Sequence, residues 1–209
     1  MRFIEFLQNS FWRKPMVESK IDCCPRLTTE RLVLRKWEER DLDGLAELNA
    51  DLRVMEFYPS VLSYAESESM LARYMDAQQR DGFCFSVISE KGSERFLGYC
   101  GLKVPGYQDH LSFGPCVEIG WRLLHSAWGK GIATEAAQIW LGFGLETLQL
   151  NEIVSFTPIQ NHRSEKVMQR LGMERIGEFE HPMLEDGDRL KRQALYKMTR
   201  QRYLGQGHD

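Results

Sequence analysis

Gly129, Lys130 and Gly131 stand where one periodicity ends and another begins. Before them runs Val117-Glu118-Ile119-Gly120-Trp121-Arg122-Leu123-Leu124, apolar enough for a buried strand. After them, Thr134-Glu135-Ala136-Ala137 leads into Trp140, Leu141, Leu145 and Leu148 at helical spacing. The order is therefore strand, glycine-rich turn, helix. Glycines at such a turn let the backbone approach a ligand closely. The first N–H groups of the helix have no intrahelical partners and lie at the positive end of its dipole. Together these features suit a phosphate. An ordinary strand–helix connection can carry the same short motif.

Two familiar phosphate binders fit poorly. The P-loop needs four residues between its first glycine and a Gly-Lys-Ser/Thr. Here the lysine lies between the glycines, and Gly131 follows it. The dinucleotide fingerprint needs three glycines and an acidic residue after the next strand. Here there are two glycines, and the strand before them lies mid-chain.

The segment Trp128-Gly129-Lys130-Gly131-Ile132-Ala133 resembles the pyrophosphate loop of the GNAT acyl-CoA N-acyltransferases, Q/R-x-x-G-x-G/A. Gly131 and Ala133 fill the small positions, and Trp128 replaces the usual Gln or Arg. The longer string through Thr134, Glu135 and Ala136 is similar to the branch that contains the ribosomal-protein N-terminal acetyltransferases. The resemblance runs from about Arg26 to Tyr203, and is most specific over Glu118–Ala137 and Asn161–Met173. It implies that main-chain groups of Trp128, Gly129, Lys130, Gly131, Ile132, Ala133 and Thr134 hold the pyrophosphate of coenzyme A. It also implies acetyl-CoA as cosubstrate, no metal, and a primary amine as acceptor, either a protein N-terminus or a small molecule. A non-catalytic acyl-CoA-binding module is the competing reading.

Hydrophobic content of 43% and charged content of 27% over 209 residues are ordinary for a globular domain with a sizeable core. A net charge of −3 gives no sign of a nucleic-acid surface, though it is compatible with a local acidic groove for a cationic acceptor. No stretch is long and apolar enough to span a membrane. The five cysteines, Cys23, Cys24, Cys84, Cys100 and Cys116, form no C-x-x-C pair. Cys84 and Cys100 fall in apolar runs, which points to core thiols and a reducing cytoplasm. Residues 1–25 open on the aromatic-rich Met1–Trp12 and read as an appendage that packs on the domain or on a neighbouring subunit. The oligomeric state stays open between monomer and homodimer. The domain is expected over 26–203, with a tail at 204–209.

Along the chain, Leu32–Trp37 reads as a strand and Asp41–Asn49 as a short helix. Ser63-Tyr64-Ala65-Glu66 has capping-box spacing and opens a helix to about Arg80, which Asp81-Gly82 ends. Phe83–Ile88 and Phe96–Leu102 read as strands around a Lys91-Gly92 turn. Pro105–Pro115 is loop-like. Glu152–Phe156 reads as a strand and Asn161–Leu171 as a helix stopped by Gly172. Met173–Phe179 and Ala194–Thr199 read as the last two strands. Helix and strand alternate only in the second half, which argues for a mixed α/β domain. The resemblance implies a single GNAT domain, with a mostly antiparallel sheet of about seven strands, splayed in the middle and flanked by helices.

Acyl transfer from a thioester to an amine needs a held thioester, donors for its developing oxyanion, an acceptor for the amine proton and a donor for the leaving thiolate. By resemblance, the strand Glu118–Leu124 meets the pantetheine arm near Trp121 and Leu123. Gly120 in mid-strand suits a bulge, a close backbone approach or a tight packing site. Asn161 is a good N-cap, and Asn161-x-x-Ser164 resembles the pattern in which Asn touches the pantetheine arm and Ser sits by the sulfur. Ser164 is therefore the candidate proton donor. Met168 stands where many members of the family carry a tyrosine. Glu118 and His181 are the candidate bases, each weighed against a structural role. Glu185, Asp186 and Asp188 read as a solvated loop or as a group that attracts a cationic acceptor. His125 and Arg170 are within reach of a nucleotide or are surface residues.

Overall fold

The computed structural model describes residues 24–80 and 84–206. The appendage before Cys24, the Asp81-Gly82 stop and residues 207–209 lie outside the described residues. Eight strands form one sheet in the order β1-β2-β3-β4-β5-β6-β8-β7. They are β1 (Leu27–Thr28), β2 (Leu32–Arg35), β3 (Phe85–Glu90), β4 (Phe96–Lys103), β5 (Glu118–Leu123), β6 (Glu152–Pro158), β7 (Glu174–Glu180) and β8 (Arg192–Thr199). All neighbours are antiparallel except β5 and β6. The expected count of about seven misses β1, whose two residues are too short to show a periodicity.

The helices are α1 (Leu42–Ala50), α2 (Tyr64–Arg80), α3 (Ile132–Gly142), α4 (His162–Arg170) and α5 (Arg200–Gly205). The capping box works as the spacing predicts: Ser63 N–H donates to Glu66 Oε2 at 2.8 Å and Glu66 N–H to Ser63 Oγ at 3.3 Å. A π-helical turn over Phe143–Thr147 continues α3. Helix α5 is absent from the sequence reading and runs past the boundary set at Tyr203.

Buried apolar clusters lie on both faces of the sheet. On one face, α3 buries Ile132, Ala136, Ala137, Trp140 and Leu141 against Leu102, Ile119 and Leu123. On the other, α1 and α2 pack Leu45, Leu48 and Leu71 against Trp37, Phe85, Val87 and Tyr99. The described thiols, Cys24, Cys84, Cys100 and Cys116, are all buried. Among the described residues no helix is long and apolar enough to cross a membrane.

Candidate active site

The site begins where the sheet fails to close. β5 and β6 share a single register point, Glu118 opposite Val154. Val154 N–H donates to Val117 O at 2.9 Å, and Ser155 Oγ donates to Ile119 O at 2.9 Å. Beyond that point the strands diverge. Leu124 N–H donates to Leu97 O at 2.9 Å. In an antiparallel pair the bonds recur at every second residue, so Trp121 and Leu123 turn their main-chain groups away from β4 and into the divergence. Leu123 O accepts the Trp128 indole N–H at 3.0 Å. Trp121 has no β6 residue in register and presents its N–H and C=O to the cleft.

The register between β4 and β5 runs unbroken from Gly98–Leu123 to Lys103–Glu118, so Gly120 is not a bulge. A Cβ on Gly120 would lie 3.0 Å from Phe85 Cζ, and the glycine makes room for that ring. Without a bulge, Ile119, Trp121 and Leu123 face α3, and Glu118, Gly120 and Arg122 face the α1/α2 side.

Both helices that follow the diverging strands start at the cleft. Gly129 and Gly131 sit at φ +73° and +76°, in the left-handed region that favours glycine. Gly131 is the N-cap of α3, and no side chain caps this helix. The first intrahelical bond, Glu135 N–H to Gly131 O, is 3.0 Å long. The N–H groups of Ile132, Ala133 and Thr134 thus lack intrahelical acceptors. A Cβ at Gly129 would meet nothing within 4 Å, so the space above the turn is open. Trp128, Gly129, Gly131, Ile132, Ala133 and Thr134 line a cavity of about 1790 Å³. These residues suit a pyrophosphate. The Lys130 side chain turns away from the cavity, and its Nζ donates to Ser126 O at 2.8 Å. A brace with no sequence signal lies behind the loop. Arg31 donates to Lys130 O at 3.0 Å and to Glu135 Oε2 at 2.7 Å.

At the start of α4, Asn161 is the N-cap as expected, its Oδ1 accepting the Ser164 N–H at 3.3 Å. Its Nδ2 donates to Thr157 Oγ1 at 2.8 Å and to Ser164 Oγ at 3.1 Å. Ser164 Oγ is an acceptor in that bond, so its own proton is left to donate elsewhere. Ser164, Asn161, Trp121 and Leu123 all line the cavity, and Met168 lines it from a buried position. Above the loop, the Arg163 guanidinium lies 4.6 Å from the Trp128 ring centre. Arg163 also pairs with Glu56, whose carbonyl accepts from Arg189 at 2.6 Å.

The far half of the cavity is built from side chains. Glu118 is buried, with Lys103 Nζ 3.4 Å from its Oε2. Burial raises its pKa, and Lys103 offsets only part of that. Among the described residues no hydrogen bond joins His181 to Glu118. Its Nδ1 accepts the Met183 N–H at 3.3 Å, which leaves the ring proton on Nε2, 3.0 Å from Tyr107 Oη. Burial, and then Lys103, lower the His181 pKa and keep the ring neutral. Tyr107 carries no sequence signal, since it lies in a stretch that reads as loop. Tyr58, Tyr74, Phe85 and Tyr99 line the rest of this half together with Arg122. Arg170 reaches the cavity, and His125 is not among its lining residues. Asp186 pairs with Lys191, and Asp188 Oδ1 accepts the Leu190 N–H at 2.8 Å, as befits a surface loop. Among the described residues no group of three or more His, Cys, Asp or Glu stands together to hold a metal.

Residues 31–174 match the family model described as an acetyltransferase (GNAT) domain. The chain is 27% identical over 187 residues to the uncharacterized N-acetyltransferase p20 of Bacillus licheniformis, covering 86% of this chain and 98% of that one. Two solved structures share the fold. Spermidine N-acetyltransferase from Vibrio cholerae, in complex with CoA and spermine, superposes with a TM-score of 0.66 at 19% identity, covering 84% of this chain and 99% of that one. Ribosomal-protein-S5-alanine acetyltransferase from Vibrio fischeri gives 0.67 at 16% identity, covering 86% and 98%.

Proposed function

The chain belongs to the GNAT acetyltransferase family and is an N-acetyltransferase; from that premise we propose that it moves the acetyl group of acetyl-CoA onto a primary amine by direct attack on the thioester. The observation that carries the reading is the uncapped start of α3 beside the divergence of β5 and β6. The N–H groups of Ile132, Ala133 and Thr134 bind the pyrophosphate. Trp121 N–H donates to the thioester oxygen as charge develops on it. Asn161 holds Ser164 so that its hydroxyl proton is directed at the sulfur. Glu118 takes the amine proton, directly or through water.

The reaction balances on these residues. A C–N bond forms as the C–S bond breaks. One proton leaves the amine for Glu118, and one reaches the departing thiolate from Ser164, whose hydroxyl is reprotonated from solvent. His181 serves better as a positioning residue than as a base. Its unprotonated nitrogen is already engaged by Met183, and its N–H orients Tyr107. Glu118 keeps a raised pKa although Lys103 Nζ lies 3.4 Å from its Oε2, and a carboxylate made more basic by burial is favoured as the proton acceptor.

The two named fold neighbours act on different amines, a polyamine and a protein alanine. The Trp128–Ala136 string favours a protein N-terminus by resemblance. Thermal unfolding with added ligand tests the cofactor reading. A ligand selective for the native state stabilises it by about 2.7 kcal/mol at a hundredfold excess over Kd. Coenzyme A and dephospho-CoA are expected to raise Tm, and ATP to raise it little. An unchanged Tm at millimolar coenzyme A overturns the reading.

A further inference from the structure

The α1/α2 side of the cavity contains a cation that the chemistry above does not use. Arg122 is 9% exposed and lines the cavity. Its partners are all neutral. Nη1 donates to Asn49 Oδ1 at 2.8 Å and to Met55 Sδ at 3.3 Å. The guanidinium lies 3.6 Å from the Tyr58 ring centre and 5.3 Å from that of Tyr99. Nε is buried with no hydrogen-bond partner. Among the described residues no carboxylate forms an ion pair with Arg122. A buried guanidinium with neither counter-ion nor full hydrogen bonding is costly, and proteins keep one where something supplies the missing charge. A guanidinium matches two oxygens of a carboxylate or phosphate.

Position adds the second argument. Glu118, Gly120 and Arg122 share one face of β5, with the Cα atoms of Glu118 and Arg122 roughly 13 Å apart by strand rise. The face therefore runs from a carboxylate, over a glycine without a side chain, to a guanidinium. Lys103 already pairs with Glu118, so Arg122 is the uncompensated charge of this half. In the reading above, the thioester oxygen sits at Trp121, next to Arg122 in the chain. Both Trp121 and Arg122 line the one cavity, so an acceptor reaching the thioester passes the side that holds Arg122.

We propose that the acceptor is an amine carrying an oxyanion, carboxylate or phosphate, and that Arg122 binds that oxyanion. The inference rests on the acetyl-transfer reading and narrows its substrate class. Polyamines, which would bring only further positive charge to Arg122, are poor acceptors.

The test measures acetyl-CoA turnover with matched acceptors that differ in the anion. The pairs are phenylalanine and phenethylamine, O-phosphoethanolamine and ethanolamine, and short peptides beginning with Asp or Asn. The pair that discriminates identifies the source: a free amino acid, a phosphate ester or an acidic N-terminal residue. In at least one pair the anionic member is expected to have a kcat/KM more than tenfold higher. Arg122→Gln should remove that preference by raising KM for the anionic member while leaving the neutral one nearly unchanged. Arg122→Lys should keep part of it. Asn49→Asp leaves Arg122 in place and supplies the counter-charge from within, and should also abolish the preference.

Equal rates within every pair, spermidine as the best acceptor, or an Arg122→Gln that slows both members alike would each overturn the proposal. If no amine is turned over although coenzyme A raises Tm, acetyl transfer fails as a reading, and the anion site is decided by binding. Protection of the coenzyme A complex by an anionic member alone, lost in Arg122→Gln, upholds it. Equal protection by both members, or none, overturns it.

Discussion

The two halves of the cleft are made of different material. The half that suits coenzyme A is main chain: the turned-out strand at Trp121, the two left-handed glycines, and the uncapped N–H groups of α3. The half proposed to face the acceptor is side chain: Glu118 with Lys103, His181 with Tyr107, and Arg122 among tyrosines. Main-chain recognition depends on where the backbone goes, so it tolerates most side chains except where a Cβ intrudes. Side-chain recognition changes with each substitution. One fold can therefore hold one cofactor and serve many acceptors, as its polyamine and ribosomal-protein neighbours do.

The sharpest way to break this comparison is to put a side chain where the backbone must be bare. Gly131→Val forces a β-branched residue to φ +76° and places methyl groups over the first N–H groups of α3. The protein is expected to stay folded, and the Tm rise with coenzyme A to vanish. A variant that still responds fully would show that the loop does not need an open backbone.

Next in size is Ser164→Ala. Turnover should fall about tenfold to a thousandfold, the usual range for a proton donor, while acetyl-CoA affinity changes little. Equal losses in both would make Ser164 a helix-start residue alone.

Glu118 tests the side-chain half. Burial raises its pKa, so the carboxyl is protonated, and unable to act as a base, to a higher pH than an ordinary Glu. The rate should rise with pH through that raised value to a plateau. Glu118→Gln should slow turnover at neutral pH and recover at high pH, where solvent deprotonates the amine. His181→Gln should leave this step in place, because the His181 ring is already neutral. If the step disappears with His181 instead, the base assignment is reversed.

The smallest effect is at the seam between the halves. Trp128→Phe removes the indole N–H bond to Leu123 O and should cost about 1 kcal/mol in urea unfolding. Binding of coenzyme A should be nearly unchanged if the loop works through its backbone.

The same division explains what the sequence discloses. The cofactor half is local: Glu118 to Ala137 carries the strand, turn and helix in twenty consecutive residues, and Asn161 and Ser164 lie one helical turn apart. Periodicity and capping chemistry read such segments directly, and α3, α4 and the Asn161 cap stand where the pattern puts them. The acceptor half joins residues distant in sequence. Tyr58 follows α1, Tyr107 lies in a loop, and Arg122 meets Asn49 across the domain. No spacing rule connects these positions. Arg122 sits in mid-strand and reads as one of the polar residues of an apolar run. Gly120 shows the limit within a single residue: a mid-strand glycine suits a bulge or a packing site equally, and the Phe85 ring, thirty-five residues earlier, decides between them.

The single register point between β5 and β6 has a mechanical consequence. It divides the sheet into a panel of five strands and a panel of three, stitched at one end and free at the other. Load passing from one panel to the other crosses the Val117–Val154 and Ile119–Ser155 bonds, or goes around through the packing of α3 on α4. An extended ligand lying in the gap would act as a rivet along the unstitched edge. The molecule would be stiffest while it holds its donor, and most compliant after that donor has left.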